Sequence, residues 1–291
     1  MVAPAPHDAE PPIRRIGPDV PALPVILSVP HAGRHYTDDL LAAARVPLEQ
    51  LRLLEDRLVD RLIWRAVAAG ATAIVANRPR AEIDLNRHER EMDPLAVAPP
   101  APPTPFIQSA RSRSGLGLIP SSLPGTGAIW HGRISGETLA RRIAAIHRPF
   151  HAAVGEALAQ ARALFGVAIL LDCHSMPPRR PMGERADLVL GDRHGTSIAL
   201  PLRDAAQRAI RTAGYSVALN QPYAGGHIVQ AHGRPAKGIH ALQLEIDRSL
   251  YLDDALREPG PGFARMAELI AAIVEALSGA ALGSEEALAA E

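Results

Sequence analysis

The sequence predicts an α/β protein: a single domain with a mixed, largely parallel sheet flanked by helices. Three observations lead there. Apolar runs of strand length recur along the chain, stretches with helical periodicity alternate with them, and 47% hydrophobic content over 291 residues suffices for one sizeable core.

The strand-length runs are Val25 to Val29, Thr72 to Ala76, Val167 to Asp172, Asp187 to Leu190, Ser216 to Leu219 and Ala241 to Ile246. Most end at Pro, Asp, Gly or Asn, residues that punctuate strands. Between them, 3.6-residue periodicity predicts helices over Glu49 to Ala69, Gly136 to Leu164, Thr196 to Ala213 and Gly262 to Leu277. Strands alternating with helices imply parallel pairing with both faces covered. Residues 1–22 read as an unstructured segment, 23–278 as the folded domain and 279–291 as a frayed tail. Residues 92–136 are proline-dense and then glycine-rich, an irregular connection long enough to act as a lid, or simply a disordered insertion.

Thirty-one basic residues balance thirty-one acidic ones, so no net field marks nucleic acid or an anionic membrane as partner, and a small molecule fits better. Cys173 stands alone, which excludes a disulfide framework and a thiolate zinc cluster and suits a reducing compartment such as the cytoplasm. The opening stretch MVAPAPHDAEPPIRR has no apolar signal core, and no segment is expected to span a membrane.

Several clusters combine polar groups with strand ends. His31 follows Pro30 after the first strand, and Asp172, His174 and Ser175 close "AILLDCHS". Ligands of open α/β sheets gather outside the carboxyl ends of strands, so two histidines there, with one carboxylate, have the composition of a catalytic zinc site. Glu55, Asp56 and Asp60 are expected on an amphipathic helix with Leu51, Leu54, Leu58 and Leu62 as its apolar stripe. Glu245, between Leu244 and Ile246, is costly as an ion unless paired, metal-adjacent or protonated, unless strand alternation turns it to solvent. Arg78, Arg80, Arg87 and Arg90 crowd Asp84 and Asn86; their forked guanidiniums suit an acidic substrate or a polarised carbonyl. Gly225 and Gly226 permit close backbone approach, with His227, His232 and Arg234 placed to line a pocket. His147 and His151 share a helix face but flank Pro149, and a surface or packing role is expected for them. The nucleophile elbow, the H-E-x-x-H helix, the P-loop and the dinucleotide fingerprint are all missing.

"SVPHAG", "EDRLVDRL", "IDLNR", "DCHS", "GGHIVQAHGRP" and "GIHALQLEIDR", in this order from about Val25 to Leu252, resemble the N-formylglutamate amidohydrolase family. That family is similar to zinc carboxypeptidases and aspartoacylases, so the resemblance implies a phosphorylase/hydrolase-like α/β sheet. It implies zinc-dependent hydrolysis of N-formyl-L-glutamate to formate and L-glutamate in histidine breakdown. By motif, His31, Asp56 and His174 match the metal ligands, with Glu55 as the competitor to Asp56. Glu245 matches the general base, Arg80 the carbonyl-polarising arginine, and Asn86 and Arg87 the grip on a substrate carboxylate. Gly226, His227 and Arg234 are added as substrate-side candidates. The chain departs from the family at "EDRL", at Ala81, where an aromatic is usual, and over Met92 to Trp130. Those departures leave room for another N-acyl amino acid. The alternatives are a carboxypeptidase-like metallopeptidase, an N-acylase, or a non-catalytic protein that binds acidic metabolites.

Overall fold

A computed structural model describes residues 10–100, 104–178 and 186–289. Its strands are β1 (Ile13–Ile16), β2 (Val25–Val29), β3 (Thr72–Ala76), β4 (Ser122–Leu123), β5 (Gly127–Ala128), β6 (Ala168–Met176), β7 (Leu188–Gly191), β8 (Val217–Leu219) and β9 (Ile239–Asp247). Seven of them form one sheet in the order β1-β3-β2-β6-β9-β7-β8, while β4 and β5 pair as a separate hairpin. β2, β6 and β9 run parallel, and β7 is antiparallel to β9 and parallel to β8. The expected single-domain, mixed, largely parallel architecture is what the chain adopts. β2, β3, β6 and β7 are buried along their whole length, which is why they read as continuous apolar runs. The polar residues that interrupt these runs sit at the carboxyl ends of β2, β6 and β9, and they build the site.

Within the domain the described residues form two compact units, one of those within 10–14, 30–55 and 75–150, the other of those within 15–29, 56–74 and 151–289. In the second, helix Phe263–Ala289 packs on helices Leu200–Thr212 and Trp64–Ala68, burying Met266, Ile270, Ile273 and Leu277. In the first, Leu51, Leu54, Ala81, Leu123 and Ile129 form an apolar cluster with Leu116 and Trp130 against it. Among its described residues the 92–136 connection holds short pieces: a 3-10 turn Pro94–Ala96, a helical turn Ala110–Arg113 and the β4–β5 hairpin.

The structure departs from the sequence expectations at four places. The helix expected over Glu49 to Ala69 is broken: Leu48–Leu51 and the 3-10 turn Arg52–Leu54 stop at Glu55, which is extended, and helix resumes only at Val59–Leu62. Asp56 therefore lies in a turn. Leu51, Leu54, Leu58 and Leu62 are buried all the same, so tertiary packing satisfies the apolar spacing without a continuous helix. Leu58 takes a left-handed conformation at φ 60, which costs about 1–3 kcal/mol and falls two residues after Asp56.

β6 and β9 also run further than expected, through Met176 and Asp247, and carry His174 and Glu245 inside paired strands. The N-terminal segment contains β1, a short edge strand whose two isoleucines are only half-buried and leave no apolar run to read; residues 1–9 of that segment lie outside the described residues. Helix Phe263–Ala289 continues through the expected tail. Its stretch Phe263–Gly283 is long and apolar enough to cross a membrane, contrary to the sequence expectation, and half of its most apolar window is buried inside the domain.

Candidate metal and active site

β2 ends at Pro30, which has no amide hydrogen to continue a ladder, and His31 follows at once, 2% exposed. The loop then passes so close to the Arg78 carbonyl that any Cβ at position 33 would collide with it, so glycine is required there.

In the first unit, the Asp84 carboxylate is the hub. It is fully buried and accepts hydrogen bonds from His31 Nε2 at 2.8 Å, from Arg80 Nε at 2.9 Å and from the Asn86 amide at 2.9 Å; Arg80 Nη2 also lies 2.9 Å from it. Burial would raise this carboxyl's pKa, but Arg80, Arg87 and His31 hold it well below the usual range. One carboxylate thus fixes both the His31 ring and the Arg80 fork. Arg87 is buried, donating to the Leu116 and Asn86 carbonyls.

In the second unit, parallel register places Asp172 opposite Gln243 and His174 opposite Glu245. Residues two apart on a strand share a face, so these four project to the same side. His174 Nε2 donates to Asp172 Oδ2 at 2.8 Å, and Ser28 Oγ donates to the other oxygen of that carboxylate, also at 2.8 Å. His174 Nδ1 lies 3.0 Å from Asp56 Oδ2, while Arg248 Nη2 donates to Asp56 Oδ1 at 3.1 Å and Arg248 Nε to Ser175 Oγ at 3.0 Å. Tyr251 Oη donates to the Arg57 carbonyl, tying down the turn that carries Asp56. Glu245, 7% exposed, accepts from Gln243 Nε2 at 2.7 Å, and Gln243 Oε1 accepts from the Gly226 amide at 2.8 Å. Burial disfavours a charged His174, yet Asp172, Asp56 and Glu245 together carry its pKa well above the usual range.

His31, Asp56 and His174 each offer one ligand atom, all within 4.8 Å of one another and all buried. The donor set fits a divalent cation. Each imidazole has its Nε2 2.8 Å from a carboxylate, Asp84 or Asp172, the arrangement of carboxylate–histidine–metal triads, and the hydrogen that His174 Nδ1 shares with Asp56 is the one a bound cation would replace. Three carboxylates around His174, with Arg248 against Asp56, leave negative charge that a cation neutralises. The group includes Asp56 and not Glu55, whose Oε1 accepts from Tyr36 Oη at 2.8 Å.

Of the other candidates, Arg80 and Asn86 meet at Asp84 with His31, and Arg87 lies beside them. Gly226 gives its amide hydrogen to Gln243, and His227 packs edge-on against His151. Arg234 stands apart, exposed and turned toward the Gln230 and Gly233 carbonyls. Sequence reading gave no role to Asp84, Asp172, Gln243 or Arg248. Asp172 and Gln243 had a signal, the i, i+2 spacing from His174 and Glu245.

Two buried imidazoles, a carboxylate and a glutamate in register with one of them gather at the carboxyl ends of parallel strands in an α/β fold, an arrangement with the chemistry that hydrolysis needs. The sequence pattern of the N-formylglutamate amidohydrolase family matches residues 23–252. An N-formylglutamate deformylase of Pseudomonas putida is 34% identical over 238 residues, 80% of this chain and 83% of that protein. One from Pseudomonas aeruginosa is 30% identical over 263 residues, 88% and 91% of the two chains. The crystal structure of N-formylglutamate amidohydrolase from Ralstonia eutropha JMP134 superposes with a TM-score of 0.85 at 36% identity, covering 92% of this chain and 97% of that one. An Agrobacterium tumefaciens gene product shares the fold at 18% identity and TM-score 0.67. The chain belongs to the N-formylglutamate amidohydrolase family and is an enzyme that hydrolyses an amide bond.

Proposed function

We propose that the protein hydrolyses the formyl amide of N-formyl-L-glutamate to formate and L-glutamate, with one zinc ion held by His31, Asp56 and His174. The convergence of those three ligands, with Glu245 in register beside His174, is the observation that carries the reading. The names of the two Pseudomonas relatives supply the substrate. The reaction belongs to histidine breakdown in the cytoplasm, in keeping with the lone buried thiol of Cys173.

A bound zinc ion supplies Lewis acidity and brings the pKa of water toward about 7. The remaining work falls to the protein. Glu245 takes the proton of the attacking water and returns it to the departing amine. Arg80, aimed by Asp84, donates to the oxygen that becomes the oxyanion. Asn86 and Arg87 in one unit, and Gly226 and His227 in the other, are the candidates for holding the substrate's carboxylates; Arg234 is the weakest of the set because it is exposed.

The Ala81 departure from the family pattern is absorbed by packing. Ala81 is fully buried in the apolar cluster with Leu51, Leu54, Leu123 and Ile129, so the missing aromatic changes a core position and not a polar contact.

The test is formate release by zinc-loaded protein from N-formyl-L-glutamate beside N-acetyl-L-glutamate and a dipeptide. Fastest turnover of the formyl compound supports the reading; preference for the dipeptide replaces it with a peptidase. Arg80→Ala is expected to lower kcat by about 10²–10³-fold with a smaller change in KM, measured by steady-state kinetics. Asp172→Asn is expected to weaken zinc binding by about 10–100-fold in a chelator competition titration, because the buried His174 loses the carboxylate that fixes its tautomer.

A further inference from the structure

A second histidine cluster lies outside the ligand set described above. His147 ends a π-helical segment, Ile143–His147, within the unbroken helical run from Gly136 to Phe165, and His151 follows one turn later. A widened turn of this kind shifts the angular register of the side chains beyond it, and such segments concentrate at functional sites. His147 and His151, four residues apart, share a face of that run. Against it stands the short helix His227–His232, which brings two more imidazoles. The His151 ring lies 5.3 Å from His227, nearly edge-on, and 5.2 Å from His232, stacked.

We propose that His147, His151 and His227 form a second cation site, for a borderline transition ion of the zinc, nickel or copper type, with His232 supporting His151. The three offer ligand nitrogens within 4.8 Å of one another. His147 is buried and gives its Nε2 hydrogen to the Arg87 carbonyl at 2.8 Å, which directs Nδ1 as the ligand atom. His151 Nδ1 is 2.9 Å from His232 Nε2, a contact that orients the His151 ring within the cluster. Metal–nitrogen bonds of 2.0–2.1 Å at tetrahedral angles set ligand rings about 5 Å apart, the separation already present between His151 and His227. Imidazole is the ligand that such ions prefer, and neutral rings are required. Sequence spacing gave His147 and His151 a surface or packing role; the contribution of His227 from a distant segment alters that assignment, and with an ion bound there His227 leaves the set of residues available to a substrate carboxylate.

Metal content settles the matter independently of turnover. Full-length protein is dialysed against zinc, freed of excess by gel filtration and measured by inductively coupled plasma mass spectrometry. Wild type is expected to hold two equivalents, His151→Gln and His147→Gln one each, and His174→Ala one. Circular dichroism confirms that each variant is folded, and the conservative glutamines keep the helix face intact. Cobalt substitution separates the sites further, since the second ion's visible bands disappear in His151→Gln and persist in His174→Ala. Wild type holding a single equivalent, or His151→Gln and His147→Gln both retaining two, overturns the second site and leaves the first untouched. Loss of the His174-dependent equivalent alone counts against the proposed catalytic ion instead.

Discussion

Replacing Glu245 with glutamine lowers kcat for formate release by about two to four orders of magnitude while the protein keeps its bound metal. The size of the effect follows from where Glu245 sits. It lies on β9 in register with His174, buried, with one carboxylate oxygen held by Gln243. Glutamine preserves the volume of the side chain and a carbonyl that still accepts from Gln243, so the fold and the ligand set are left alone. What it removes is the capacity to accept a proton. Metal content equal to wild type, with turnover down at least a hundredfold, is the expected pair of results. Undiminished turnover would remove Glu245 from the chemistry and leave the proton without a carrier.

His31→Ala loses the ion at His31, Asp56 and His174 together with its activity, and it does so with little change in stability. Truncating a buried hydrogen-bonded ligand commonly destabilises, because the partner is stranded. Here the partner is Asp84, which retains Arg80 and the Asn86 amide and lies near Arg87, so its charge stays compensated. Metal analysis and thermal denaturation of the same sample separate the two effects. A protein that still holds the first equivalent would show that His31 is not a ligand.

The architecture was legible because buried parallel strands such as "VILSV" and "AILLD" announce themselves as apolar runs, and the periodicity of residues 136–164 is strong. The candidate ligands were legible mainly through motif likeness. Spacing alone placed Asp56 on a helix, and the helix does not exist there: four leucines at helical spacing are buried by a broken chain as well as by a continuous one. Asp172 was named beside His174 without a role, although the i, i+2 spacing offered one, and Asp84 was given none for a physical reason. A residue that acts by hydrogen-bonding a ligand leaves no periodic signal, and its role appears only when segments 53 residues apart, as with His31 and Asp84, come within 2.8 Å. β1 was missed because an edge strand of four residues needs no apolar face. Glu245 posed an even choice between core and solvent, and β7, pairing along the other side of β9, encloses it.

The account stands or falls on one ion shared by three residues distant in sequence. Diffraction from crystals grown with zinc, recorded on either side of the zinc absorption edge, tests it most directly. The prediction is an anomalous peak about 2.0–2.2 Å from His31 Nδ1, His174 Nδ1 and an Asp56 oxygen, with the Glu245 carboxylate facing it. Density between His31 and His174 with no anomalous signal, or zinc bound only at other residues, would contradict it.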